Sequence, residues 1–258
     1  MAELGRRGKK GKVSLVGAGP GDPRLLTLGA VERLEGADVV IYDRLVSRAV
    51  LDMIPRGVMK VYGGKDPGRG GEREQKRLNV LMLREAKSGK KVVRLKGGDP
   101  FLFSRGGEEA EFLRENGIEF EVVPGVTSAL AVPAYAGIPL THRGLSSSVT
   151  VVTGQEAGSK RTLDWPSIAR GSDVVVVLMG AAKVRDIAAR LLEAGKPART
   201  PVAAIMWGTT RNQRTVTTTL GEAAKGGGLS KEIVAPSVIV VGKVVSLARK
   251  LKWRRESA

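Results

Sequence analysis

Short apolar runs of strand length alternate with helix-length segments from the beginning of the chain. Val13–Val16, Val39–Tyr42 and Val92–Leu95 are predicted strands. A helix is predicted between the first two of them, from about Asp22 or Pro23 to Leu34, and Glu108–Asn116 has the length and composition of another. Strands separated by helices favour parallel pairing, with the helices packed on the faces of the sheet. The sequence therefore predicts an α/β fold.

The middle of the chain is rich in proline and glycine, which marks the join between two α/β domains. We place a basic tail over 1–12, an N-terminal domain with glycine-rich loops over 13–143 and a C-terminal domain over 144–258. In the second domain the run Thr215–Leu220 is rich in β-branched residues and no clear helix precedes it, so we expect a mixed sheet. The other strands expected there are 149–152, 174–179, 201–207 and 238–245.

Composition narrows the range of functions. There are no cysteines and one histidine, His142, which excludes thiolate zinc, iron–sulfur and cysteine-nucleophile chemistry and leaves us expecting no metal. The apolar runs fall short of the roughly 20 residues that span a bilayer, and segment 1–12 lacks the apolar stretch of a signal peptide. We therefore expect a cytoplasmic protein without a membrane partner.

The net charge of +17 favours an anionic partner. Aromatic residues make up only 4% of the chain and are not interleaved with the basic ones, which argues against nucleic acid. A small polyanionic substrate is the alternative that this composition leaves open.

Two glycine turns follow predicted strands. Gly17–Asp22 comes after the first strand, and Gly97–Pro100 repeats the arrangement after Val92–Leu95. Pro20 removes an amide donor and the dinucleotide pattern is incomplete, so the first turn alone fits either a nucleotide-binding turn or a structural one. Together the turns would line one crevice of an open sheet, where each aspartate accepts from ribose hydroxyls or caps a helix.

With further motifs the sequence resembles the tetrapyrrole methylase family, and within it the branch that methylates uroporphyrinogen III. The resemblance covers about Val13 to Trp253. The segments that carry it are Val16–Pro23, Tyr42–Ser47, Val92–Phe101, Arg105–Glu109, Val123–Ser128 and Ala134–Arg143. The segment Gly64–Glu72 departs from the usual family pattern, so we expect the loop after Lys65 to contact the substrate differently.

The resemblance implies a homodimer of two-domain α/β chains, with a cofactor cleft between the domains of each. The cofactor would be S-adenosyl-L-methionine, converted to S-adenosyl-L-homocysteine, with no metal. Two methyl groups would pass to pyrrole carbons of the polyanionic tetrapyrrole uroporphyrinogen III, giving precorrin-2 for sirohaem and cobalamin. The cofactor contacts it implies are Pro20, Gly97, Gly98, Asp99, Leu102, Thr127, Ser128, Met179 and Gly208.

The same resemblance implies two catalytic residues. Asp43 would be the base that removes a ring proton, and Lys65 a proton donor or electrostatic partner. A helix cap or an ion pair is the structural alternative for Asp43, and a solvated loop cation for Lys65. The candidate substrate-binding residues are Asp22, Arg94, Arg105 and Arg143. The arginines are included because a guanidinium group can bind a carboxylate in a bidentate manner. A methylase of a later cobalamin intermediate and a basic nucleic-acid-binding protein are the competing hypotheses.

Overall fold

The computed structural model describes residues 11–64, 71–155, 163–226 and 232–254. The chain divides into two compact units, Met1–Thr127 and Ser128–Ala258. This division lies earlier than the predicted join at 143/144. The reason is helix α5 (Ser128–Tyr135), whose Ala129 and Val132 pack into the core of the second sheet. The proline and glycine residues of this region flank a helix that belongs to the second unit, except for Pro133, which lies inside it.

The first unit contains a five-stranded sheet in which every strand pairing is parallel, as predicted. The strand order is β3-β2-β4-β1-β5. The strands are β1 (Lys12–Gly17), β2 (Val39–Tyr42), β3 (Met59–Tyr62), β4 (Val92–Lys96) and β5 (Glu119–Val123). The helices are α1 (Leu28–Glu35), α2 (Arg48–Leu51), α3 (Glu72–Lys87) and α4 (Gly106–Glu115).

Two details of this unit differ from the prediction. The first helix does not start at the glycine turn: a 3₁₀ turn over Pro23–Leu25 comes first, and α1 begins after Thr27, whose hydroxyl accepts from the amide of Ala30. The sequence analysis also missed β3, a mostly exposed edge strand without the alternation that marks a half-buried strand.

Both faces of the central strands are covered. On one face Leu78 and Met82 of α3 and Leu113 of α4 pack on the sheet, and on the other Leu34 of α1 and Val50 of α2 do so. Burying a side chain of this size contributes about 1.5–3 kcal/mol. A strand in this position has no face open to water, so any charged side chain on it must find its partners inside.

The second unit contains a mixed five-stranded sheet, as predicted. The strand order is β6-β7-β10-β8-β9, with β6 parallel to β7 and the other pairs antiparallel. The strands are β6 (Val149–Thr153), β7 (Val174–Leu178), β8 (Pro201–Met206), β9 (Arg214–Thr219) and β10 (Ser237–Val241). Besides α5, the helices are α6 (Trp165–Gly171), α7 (Val184–Glu193) and α8 (Leu220–Ala224).

The last predicted strand, 238–245, is too long, because β10 ends at Val241 and a 3₁₀ turn over Lys243–Leu247 follows Gly242. The valines of this turn continue the apolar run, since Val244 and Val245 are buried in the same core. Within the described residues we find no helix that is both long and apolar enough to cross a bilayer.

Candidate active site

The strand order of the first sheet brings the two glycine turns together. Strands β1 and β4 are neighbours, but the chain leaves β1 toward β2 on one side and leaves β4 toward β5 on the other. Ligands of open parallel sheets bind at the carboxyl ends of strands where the direction reverses in this way. The turns are also bonded to each other: Gly19 N donates to Gly98 O at 3.1 Å, and Gly98 N donates to Gly19 O at 2.8 Å.

A third loop, after β5, packs against both turns. A Cβ on Gly17 would lie 2.5 Å from Gly125 Cα, and a Cβ on Gly125 would lie 2.4 Å from Gly98 O. Gly98 also has a φ of +71°, which favours glycine. We call Gly17, Gly98 and Gly125 the glycine cradle. Its bare backbone is the kind of surface that a ligand can approach closely.

Asp99 ties two of these loops together. Its Oδ1 accepts from the amides of Phe101 (2.8 Å) and Leu102 (3.1 Å), and its Oδ2 accepts from the amide of Gly125 (3.2 Å). The aspartate therefore fixes the loop after β4 and the loop after β5 in one arrangement. Its carboxylate is partly exposed, so it retains lone pairs for a ligand hydroxyl.

Six of the predicted cofactor contacts lie in the first unit, and each belongs to the glycine cradle or is within four residues of one of its glycines in the sequence: Pro20, Gly97, Gly98, Asp99, Leu102 and Thr127. Leu102 is 36% exposed, between Phe101 at 53% and Phe103 at 41%. Three consecutive apolar side chains that stay exposed on a fixed loop form a patch of the kind that indicates a binding site.

The other three predicted contacts, Ser128, Met179 and Gly208, lie in the second unit. Met179 follows β7 with φ +56° and is 48% exposed, and Trp207, just before Gly208, has φ +49° and is 43% exposed. Left-handed backbone at a residue other than glycine costs about 1–3 kcal/mol and clusters at functional loops. Gly208 is buried, and a Cβ there would lie 2.4 Å from Val132 Cγ1.

Asp43 follows β2 directly, and its side chain is 28% exposed. Its Oδ1 lies 2.5 Å from Arg94 Nη2, and its Oδ2 lies 4.0 Å from Lys96 Nζ. Arg94 and Lys96 are 2% and 1% exposed. The carboxylate of Asp43 therefore reaches the surface while its oxygens are held from inside by buried cations.

Glu109, in the first turn of α4, completes this cluster and has no exposed surface. Its Oε1 lies 3.0 Å from Arg94 Nε and its Oε2 lies 2.9 Å from Lys96 Nζ, while Gln75 Nε2 donates to Oε1 at 2.9 Å. Burial raises the pKa of Glu109, but Arg94 and Lys96 outweigh that and hold the pKa below its usual value. Burial and the charge of Arg94 together lower the pKa of Lys96.

The cluster gives Arg94 a different role from the predicted one. A clamp for a substrate carboxylate needs an accessible guanidinium, whereas Arg94 is buried and already bonded to Asp43, to Glu109 and to Ile41 O. In the structure its Nη2 holds Oδ1 of Asp43 at 2.5 Å. The structure also favours the capping alternative for Asp22, which is buried, accepts from the amide of Arg24 and forms an ion pair with that side chain.

The remaining predicted substrate residues are more accessible. Arg105 lies at the start of α4 with φ +62° and is paired with Glu108 at 2.6 Å. Arg143 is exposed. Nδ1 of the neighbouring His142 lies 2.8 Å from the carbonyl oxygen of Arg143. Lys65 lies outside the described residues. In the described part of the chain no group of three or more His, Cys, Asp or Glu side chains is placed to hold a metal ion.

Glu109 was not predicted as a functional residue and entered the sequence analysis only as part of the segment Arg105–Glu109. A signal was present in the sequence. Arg94 and Lys96 are two residues apart on a strand, so they share one face. Two cations on one face of a buried strand require a buried carboxylate nearby.

Comparison with known proteins agrees with this geometry. The sequence profile described as Tetrapyrrole (Corrin/Porphyrin) Methylases matches residues 12–224. A siroheme synthase of Nitrosospira multiformis is 48% identical over 244 residues, which are 95% of this chain and 51% of that protein. The chain thus spans about half the length of the siroheme synthases it matches.

Two solved structures extend the comparison to the fold. Uroporphyrin-III C-methyl transferase from Thermus thermophilus, complexed with S-adenyl homocysteine, is 44% identical with a TM-score of 0.80, over 92% of this chain and 100% of that one. A cobalt precorrin-4 methyltransferase is 26% identical with a TM-score of 0.79, over 91% and 95% of the two chains. With its profile match, its bonded glycine turns and these likenesses, the chain belongs to the tetrapyrrole methylase family.

Proposed function

We propose that this chain transfers methyl groups from S-adenosylmethionine to two pyrrole carbons of uroporphyrinogen III, giving precorrin-2 for sirohaem and cobalamin. The observation that carries the proposal is the pair of glycine turns bonded to each other at the switch point of the first sheet. It is supported by 44% identity to the Thermus thermophilus enzyme over that enzyme's full length. The lower identity to the precorrin-4 methyltransferase, 26%, favours the earlier substrate.

The residues at the switch point fit a nucleoside cofactor. A Cβ on Gly17 or Gly125 would lie 2.4–2.5 Å from the backbone of a neighbouring loop, so the three loops of the glycine cradle pack backbone against backbone. When bound, S-adenosylmethionine supplies an electrophilic methyl group. The loops after β1, β4 and β5 would hold it, with Asp99 fixing the loops and Leu102 covering the nucleoside. Rigid loops would lower the barrier to methyl transfer by aligning the reacting atoms and excluding water.

Asp43 would act on the tetrapyrrole. Methylation of a substituted pyrrole carbon leaves a cationic ring that must lose a proton. A carboxylate that is partly exposed and fixed on one oxygen by Arg94 would accept this proton, and such general-base catalysis contributes about 10²–10⁴-fold. We propose Arg105 and Arg143 as partners of the substrate carboxylates and Lys65 as an electrostatic partner, in a homodimeric cytoplasmic enzyme.

The test is an anaerobic incubation of the protein with methyl-labelled S-adenosylmethionine and freshly prepared uroporphyrinogen III. We expect two labelled methyl groups per tetrapyrrole. A tetrapyrrole that stays unlabelled would overturn the proposal. If a later cobalamin precursor is labelled in a parallel incubation while uroporphyrinogen III is not, the substrate is reassigned.

Asp43→Asn tests the proposed base. Because the amide cannot accept the ring proton, the single-turnover rate should fall by about 10²–10⁴-fold. Binding of S-adenosylhomocysteine, measured by calorimetry, should stay within about twofold, since the loops of the glycine cradle are unchanged. The control is Asp52→Asn, an exposed aspartate paired with Arg48 at 3.0 Å. An Asp43→Asn variant that turns over like Asp52→Asn would remove Asp43 from the mechanism.

A further inference from the structure

Four charged side chains form a closed ring inside the first unit. Arg94 bridges Asp43 and Glu109, at 2.5 Å and 3.0 Å, and Lys96 lies 2.9 Å from Glu109 and 4.0 Å from Asp43. Each carboxylate thus faces both cations. Three members of the ring are at most 2% exposed, and Asp43 alone of the four reaches the surface, at 28%.

The fold forces this arrangement. Alternation along β4 places Arg94 and Lys96 on the face covered by α3 and α4, where neither can reach water. The charged groups that face Asp43 in the ring are Arg94 and Lys96 from β4, and Glu109 from α4 contacts both of these cations. From α3 the neutral Gln75 donates to Glu109, at 2.9 Å, and to Asn79.

Glu109 determines how much positive charge acts on Asp43. It takes the Nε of Arg94 and the Nζ of Lys96, which leaves Asp43 one close cation contact and one at 4.0 Å. Without Glu109, two buried cations would face a single carboxylate. Cations this close to a carboxyl group and shielded from water favour its ionised form strongly. An overstabilised carboxylate is a weaker base.

We propose that Glu109 is a positioning residue for methyl transfer, which keeps Asp43 basic and oriented by dividing the charge of Arg94 and Lys96. The inference rests on the proposed role of Asp43 as the base. Glu109 itself is enclosed, so it acts only through the ring.

Two variants are expected to shift Asp43 in opposite directions. Glu109→Gln removes a negative charge, so the acidic limb of the single-turnover rate should move to lower pH by about one unit and the plateau rate should fall about tenfold. Lys96→Met removes a cation 4.0 Å from Asp43, so the limb should move to higher pH. Glu111→Gln, an exposed position on the same helix, is the matched control and should move neither.

A purely structural role would lower stability or the active fraction without moving the limb in opposite senses. Limbs that coincide with wild type in both variants would therefore overturn the inference. If Glu109→Gln does not fold, Lys96→Met alone decides, since an unmoved limb there contradicts the same charge argument.

A readout independent of turnover separates this inference from the proposed function. The ionisation of Asp43 can be followed by carbon NMR of its labelled carboxyl group, assigned with Asp43→Asn. The midpoint should move down in Glu109→Gln and up in Lys96→Met even if uroporphyrinogen III proves not to be the substrate. Loss of methyl transfer in the wild type would refute the proposed function alone, whereas unmoved midpoints would refute the role of Glu109.

Discussion

Replacing Gly125 with alanine tests whether the glycine cradle is built by close backbone packing. The added Cβ would lie 2.4 Å from Gly98 O and 2.7 Å from Gly17 Cα, and both neighbours are backbone atoms. Neither can turn away as a side chain would. Gly98 is bonded twice to Gly19, and the amide of Gly125 is bonded to Asp99.

The magnitude follows from those distances. Carbon atoms in contact prefer separations of roughly 3.5–4.0 Å, so the loops after β1, β4 and β5 must separate by about 1 Å. Forcing an extra methyl group into a packed site costs about 1–3 kcal/mol. For a chain of this size that lowers the melting temperature by about 2–4 °C per kcal/mol. A shift of 1 Å in the ligand-binding backbone should also weaken S-adenosylhomocysteine binding at least about tenfold.

The assay combines thermal unfolding with calorimetric titration of S-adenosylhomocysteine. The control is Gly107→Ala in α4, where a Cβ would meet nothing within 4 Å. That variant should bind like wild type and gain up to about 1 kcal/mol of stability, because alanine is the better helix former. If Gly125→Ala melts and binds as wild type does, the cradle is not the close-packed ligand surface that we describe.

Two further predictions concern stability. The guanidinium of Arg33, with Ser14 and Lys12, lowers the pKa of Glu121 to about 2. Stabilisation by Glu121 is then complete above its usual pKa of 4.5 and is lost as the pH falls toward 2, so Glu121→Gln should cost about 1 kcal/mol at neutral pH and nothing in strong acid. A urea series at several pH values measures this, and a constant difference would contradict it. Trp253→Ala should lower the free energy of unfolding in urea by about 1–2 kcal/mol. The indole NH donates to Ala134 O at 2.9 Å, and the ring meets Tyr135 edge-on with 5.2 Å between centroids. An unchanged midpoint would show that these contacts do not stabilise the second unit.

Much of the fold was available from local patterns. Apolar runs of four to six residues separated by helix-length segments predict parallel strands, and the β-branched run at Thr215–Leu220 predicts the mixed second sheet. The glycine turns were recognisable from the sequence because their conformation and close approach depend on glycine itself, and the structure bonds the two turns to each other. These features are encoded within a few consecutive residues, so the sequence alone determined them.

The structure decided what depends on distant parts of the chain. That β2 lies beside β4, about fifty residues later, is a property of the sheet order, and only this order brings Asp43 to Arg94. Whether an arginine is a free clamp or a buried partner depends on what covers its strand, and α4 supplies Glu109 from above β4. Charge clusters depend on distances between elements, which local periodicity does not specify. The sequence therefore determined most of the strands, the glycine turns and the family, and the tertiary structure alone decided which charged groups meet.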